Sequence, residues 1–178
     1  MTVCHYSDRS NPLFLSHYRT CDILITTGDL TYPDLSGILN ETQKKPAFGV
    51  YGNHDSGQYL EELGIENLHL RRVEWNGLTL GGFQGCLRYK KGDLQFSEEE
   101  AKDFYLSFPR VDILLLHAGG KDILDDPSDD VHIGSEWIAA YIREKQPSVV
   151  FCGHQYSNDQ MQVNNTQIFR TYGSRLIP

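Results

Sequence analysis

Short apolar runs alternate along this chain with polar, glycine-containing breaks, and the runs share a way of ending. Val3 to Ser7 leads into Asp8. Ile23-Leu24-Ile25-Thr26-Thr27 leads into Gly28-Asp29, and Ala47 to Tyr51 leads into Gly52-Asn53-His54-Asp55. Ile113-Leu114-Leu115-Leu116 leads into His117, and Val149-Val150-Phe151-Cys152 leads into Gly153-His154. Runs this short, bounded by breakers and rich in branched residues, read as buried strands. A strand that stops at a metal-capable or proton-transferring side chain delivers it to the loop at the carboxyl edge of a sheet. Five such endings in order predict a single site assembled from several loops.

Between these strands the period changes. Tyr32 to Thr42 places Leu35, Ile38 and Leu39 on one face and predicts a helix; Asn11 to Arg19 is ambiguous. Gln58 to Leu63 predicts a short helix closed by Gly64. Val73 to Leu80, broken by Asn76-Gly77, predicts a hairpin with a two-residue turn. Ser97 is a good N-cap for a helix to about Leu106, with Glu98 to Glu100 in its first turn. Gly134-Ser135 opens a helix over Glu136 to Lys145, with Trp137, Ile138, Tyr141 and Ile142 as its buried stripe. Met161 to Phe169 predicts a second hairpin around Asn164-Asn165. Helix-linked strands and hairpins thus share one chain, with no internal repeat, low-complexity tract or linker.

A chain of 178 residues suits a single domain over residues 1–178, with a core large enough to need no staples. Cys4, Cys21, Cys86 and Cys152 show no close pairing; Cys4 and Cys152 lie in strand-like runs. Free cysteines and the lack of a basic-then-apolar leader make a reducing cytoplasm the expectation. No apolar stretch approaches the ~20 residues that span a bilayer, so no membrane role is expected. The net charge of −8 argues against broad nucleic-acid binding. A phosphate substrate stays open, because bound divalent cations reverse the local field.

The ordered blocks Asp8, Gly28-Asp29, Gly52-Asn53-His54-Asp55, His117 and Gly153-His154 resemble the calcineurin-like metallophosphoesterases. A closer likeness is to small single-domain bacterial members with a Ser-Asp-x-x-x-Pro block, here Ser7 to Pro12. Those members share Gln95-Phe96-Ser97-Glu98-Glu99 and a glycine after a histidine, as in His132-Ile133-Gly134. The resemblance implies an α/β fold, a four-layer α/β/β/α sandwich of two mixed sheets flanked by helices. It implies a metal-dependent phosphoesterase, in the first instance a phosphodiesterase of small soluble phosphoesters or nucleotides. It also implies attack by a metal-bound hydroxide.

By the same resemblance Asp29 bridges two cations, and Asn53, His117 and His154 complete one of them. His54 is the general acid, oriented by Asp55. The other cation keeps Asp8 but has Ser10 and Tyr156 where the family supplies histidines. Three readings stand side by side. Tyr156 with Ser10 or Asn11 completes an oxygen-rich site for manganese; a single cation works beside Arg9 or Arg88; or the site is non-catalytic. One or two divalent cations per chain are expected, manganese first, with iron, zinc and magnesium as alternatives.

Arg88-Tyr89 reads either as a phosphate clamp with a stacking ring or as a basic surface turn. His132, after an acidic run, reads either as a solvated loop residue that caps the next helix or as a substrate contact at the rim. His5, His17 and His69 read as structural or exposed. The competing function is a phosphoesterase-fold binding module, as in the family's retromer subunit.

Overall fold

The computed structural model describes all residues, Met1–Pro178. In chain order the first half holds β1 (Val3–Ser7), α1 (Phe14–Thr20), β2 (Ile23–Thr26), α2 (Tyr32–Leu35), β3 (Ala47–Gly49), α3 (Tyr59–Glu62) and β4 (Glu66–Asn67). Then come β5 (Arg72–Trp75), β6 (Leu78–Phe83), β7 (Cys86–Leu87), β8 (Gln95–Phe96) and α4 (Glu98–Ser107). The chain closes with β9 (Ile113–Leu116), α5 (Glu136–Lys145), β10 (Val149–Cys152), β11 (Asp159–Val163), β12 (Thr166–Arg170) and β13 (Gly173–Ile177). One sheet has the order β13-β1-β2-β3-β4 and the other β11-β12-β10-β9-β6-β5; β7 and β8 pair separately.

Alternation along the strands makes the layers. Val3, Ile23, Ile25, Phe48, Ile113, Leu115 and Phe151 face inward and form the core between the sheets. Their neighbours Cys4 and Leu24 face outward under Phe14, Tyr18, Leu35 and Leu60 of the first helices. Leu114, Leu116, Val150 and Cys152 face outward under Phe104, Ile138, Tyr141 and Ile142 of α4 and α5. The result is the four-layer α/β/β/α sandwich of two mixed sheets.

Local signals account for most boundaries. Asn76 and Gly77 take φ of 51° and 77°, the turn their hairpin requires. The Ser97 hydroxyl accepts from the Glu100 backbone N–H while Glu100 returns to Ser97 N, a reciprocal cap for α4. Ser135 caps α5 through Ile138 N. Two expectations change. The Tyr32 to Thr42 helix is only one α-turn, then a tighter 3-10 turn over Ser36–Asn40, so Leu39 falls off the buried face. Gly37 supplies no side chain there, and Leu15 packs where its Cβ would stand. In α5, Ala139 fills the core and Trp137 lies at its margin, against Tyr105 and Lys102. All four cysteines are buried and free.

His5 sits fully buried between the sheets, where its Nε2–H donates to the Thr27 hydroxyl at 2.9 Å. Burial, with the Arg175 charge behind it, pushes this imidazole down to about 3. The unfolded chain, with an ordinary histidine near pH 6.5, therefore takes up the proton first as pH falls. The stability so gained is present above that pH and lost on acidification. Between pH 6 and 5 the protein should lose about 1 kcal/mol more than a His5→Gln variant. Urea midpoints at the two pH values measure this; equal losses would show that His5 ionises freely in the fold.

Candidate metal centre

The parallel strands β1, β2 and β3 of one sheet and β9 and β10 of the other deliver their carboxyl ends to one place. The loops that follow touch there. Asp8, Asp29 and His154 are held at positive φ of 63°, 53° and 67°. For residues with a Cβ such backbone costs roughly 1–2 kcal/mol each, so the surrounding contacts must impose it. Two glycines let the loops approach. A Cβ on Gly52 would stand 2.1 Å from Asp29 Oδ1, and one on Gly153 would stand 2.1 Å from Asp8 Oδ2.

The orientation of each donor follows from its partner outside the centre. His117, fully buried, has Nδ1 2.6 Å from the Thr27 carbonyl. A carbonyl only accepts, so that nitrogen carries the hydrogen and Nε2 faces the site. His154 has Nε2 2.7 Å from the Val131 carbonyl, so Nδ1 faces the site. The two inward nitrogens lie 3.1 Å apart. Asn53 donates its amide N–H to the Tyr89 hydroxyl at 3.2 Å, which turns Oδ1 towards His117 Nε2 at 2.9 Å. Asp29 Oδ2 is 3.5 Å from the same nitrogen, and its Oδ1 accepts the His54 backbone N–H. Asp29, His117 and His154 each offer a ligand atom within 4.8 Å of the others.

Lone pairs that converge in this way are satisfied by a proton or by a cation. With protons alone the charge is lopsided. Burial opposes a charge on His117, but the Asp29 carboxylate outweighs it and raises the imidazole to about 9. Burial and the adjacent His117 lower His154 to about 3. Burial works against the Asp29 charge, yet His117 and the His54 N–H hold its carboxyl down at about 2. A divalent cation fits this donor set of two imidazoles, a carboxylate and an amide oxygen. Asp29, Asn53, His117 and His154 would hold it.

Asp8 stands outside the mutual Asp29–His117–His154 group. Both its oxygens accept the His154 backbone N–H, at 3.0 and 2.9 Å, and Ser7 donates to it from the side. Burial pushes its carboxyl up to about 7, against the pull of His117 and Ser7. Asp8 thus braces His154 in its left-handed backbone. A hydroxyl chain continues behind it, from His5 through Thr27 and Ser7. The sequence reading missed this chain; its only signal was the hydroxyl residue before each of the first two blocks, Ser7 and Thr27.

The groups expected to rebuild a second cation site are turned elsewhere. Asn11 uses Oδ1 to accept from Leu13 N and aims its amide at Ser174 O. Ser10 is exposed. Tyr156 is 74% exposed, with its ring against His132. The guanidinium of Arg9 lies over the Tyr172 ring at 5.4 Å. Arg88 pairs with Glu100 at 3.2 Å and with the Gln95 carbonyl, so the helix cap draws it away from a phosphate-clamp position. Tyr89 works through its hydroxyl on Asn53.

Two further readings change. Asp55 does not orient His54. Its carboxylate accepts the backbone N–H groups of Gly52 at 2.7 Å, Asp29 at 3.0 Å and Leu30 at 3.1 Å, and so ties two loops together. His54 itself is exposed at the mouth. His132 is neither solvated nor a helix cap. It is nine-tenths buried, bonded to Asp129 at 2.5 Å, with its ring 4.9 Å from that of His154.

The sandwich and its carboxyl-edge donor cluster together form a candidate divalent-cation site at the edge of two packed sheets. The chain matches the family profile of the calcineurin-like phosphoesterase superfamily domain over residues 1–174, and it belongs to that family. Its structure is similar to TT1561 of Thermus thermophilus, with TM-score 0.67 and 15% identity over 95% of this chain and 88% of that one. It is similar to phosphopantetheinyl hydrolase (PptH) from Mycobacterium tuberculosis, with TM-score 0.64 and 13% identity over 95% and 88%. It also matches Vps29 complexed with zinc from Entamoeba histolytica, at 0.50 and 16% over 96% and 73%. At these identities the likeness establishes the fold alone. No curated protein gives a significant sequence match. No helix is long and apolar enough to cross a membrane.

Proposed function

We propose that this chain, acting as one domain, is a metal-dependent phosphoesterase of small soluble phosphoesters, phosphodiesters included. It holds one divalent cation through Asp29, Asn53, His117 and His154. The observation that carries the reading is the convergence of His117 Nε2, His154 Nδ1 and Asn53 Oδ1, each aimed by a bond on its far side. Manganese is the first cation to try, ahead of iron, zinc and magnesium. Such a cation supplies Lewis acidity at a phosphoryl oxygen.

The protein's own groups do the rest. Thr27 O and Val131 O fix which imidazole nitrogens face the cation site, and Tyr89 fixes the Asn53 amide. His54, anchored by its backbone N–H on Asp29, presents its ring at the mouth to protonate the leaving oxygen. Four free, buried cysteines fit a reducing cytoplasm.

The test is elemental analysis beside hydrolysis of bis-p-nitrophenyl phosphate with added manganese, on wild type and Asp8→Asn. About one cation per chain is expected in both, since an asparagine oxygen still accepts the His154 N–H. Two cations in the wild type and one in the variant would make Asp8 a ligand instead of a brace. The thin supply of ligands around Asp8 favours the competing reading, a binding module. No cation and no turnover, on this diester and on a monoester, would sink the enzyme reading and leave the binding module.

A further inference from the structure

An aromatic strip runs outward from the metal centre. The His154 ring meets His132 at 4.9 Å, His132 meets Tyr156 at 5.1 Å, and Tyr156 meets Tyr172 at 5.9 Å. Arg9 lies over Tyr172 at 5.4 Å and occupies that ring. Tyr156 is left as the open member. It is 74% exposed, more than any other large hydrophobic side chain of the protein, although it stands two residues from a candidate ligand.

The exposure is built in. Gln155 donates to the His132 carbonyl at 3.0 Å, and Arg170 donates to the Ser157 carbonyl at 3.1 Å and hydroxyl at 2.8 Å. Asn158 accepts from Tyr172 N at 2.9 Å. The loop that carries Tyr156 is therefore pinned on both sides of it. Both neighbouring rings stand steeply inclined to the Tyr156 ring, at 72° and 85°, so neither is stacked flat on it. A rigid, solvent-facing ring held at an active-site rim loses little freedom when a flat group stacks on it.

We propose that Tyr156 is a stacking platform for a flat aromatic group, a nucleobase or aryl ring, carried by the phosphoester whose phosphate meets the metal centre. This rests on the phosphoesterase reading and adds to it a substrate class and a specificity-determining residue. Stacking is indifferent to the edge of the ring, so nucleobases and simple aryl groups share the chemistry.

The test is equilibrium binding, by calorimetry with manganese present and in the His54→Ala background, which suppresses turnover. The probes are adenosine 5'-monophosphate, phenyl phosphate and ribose 5-phosphate. The expected result is that ring-bearing probes bind about tenfold or more tighter than ribose 5-phosphate. Tyr156→Ala should abolish that preference and Tyr156→Phe should keep it. A preference confined to the adenosine probe assigns a nucleobase, and one shared with phenyl phosphate assigns any aryl ring. Equal affinities for all three probes, a preference unmoved by Tyr156→Ala, or no binding at all would overturn the platform. The phosphoesterase reading is judged separately, by turnover of the diester in the unmodified protein.

Discussion

Replacing His117 by Ala should strip the divalent cation from the protein and take phosphoester turnover with it. The loss should exceed the ~10–100-fold that follows removal of an outer partner of a metal ligand. His117 is the hub of the centre: its Nε2 faces Asn53 Oδ1, Asp29 and His154 Nδ1 together. Without it the remaining donors point at a gap, and the Thr27 carbonyl loses its partner inside the core. His54→Ala is the informative contrast. Its ring is exposed and outside the donor set, so that variant should keep the cation and lose about 10²–10⁴-fold in turnover, the range of a lost general acid. Metal content by elemental analysis, circular dichroism for the fold, and manganese-dependent kinetics separate the two. If His117→Ala retained its cation, the donor cluster would not be the metal site.

Asp55→Ala should unfold the protein more readily than any change at an exposed site residue. Three backbone N–H groups lose their acceptor together, in loops that belong to different strands. A buried N–H left without a partner costs about 1–3 kcal/mol, so a combined loss of about 3 kcal/mol or more is expected. The loops would also relax the positive φ of Asp29, and the cation would bind more weakly. Asp55→Asn should fall between, because one amide oxygen still accepts while the amide nitrogen faces donors. Urea midpoints with and without manganese measure both effects. An Asp55→Ala protein of unchanged stability, altered only in the acidic or basic limb of its pH–rate profile, would return Asp55 to the role of orienting His54.

These two residues also show where sequence reading succeeds and stops. The place of His117 was legible because an apolar run of four residues ends on it, and four similar endings recur in order. The role of Asp55 was not, although it stands in the most conspicuous block of the chain. Its neighbour in sequence is His54, but two of its three partners in space lie 25 and 26 residues away. Tyr89 is a similar case. The chain shows an aromatic residue after an arginine; only folding shows that its hydroxyl holds Asn53, 36 residues distant.

The sequence by itself determined what is local. Branched apolar runs set the strands, Asn76-Gly77 set a turn with positive φ, Ser97 and Ser135 set helix starts, and the alternation within strands set the layers. It also determined which donor types arrive at the sheet edge and that two family histidines are absent. Tertiary structure decided what each donor faces. It chose which imidazole nitrogens point inward, spent Asp8 on the His154 backbone, gave Arg88 to Glu100, and left Tyr156 in the open. The reason is physical: backbone conformation depends on near neighbours, whereas a side chain's hydrogen-bond partner is fixed only when distant loops are packed together, here as far apart as Asp8 and His154.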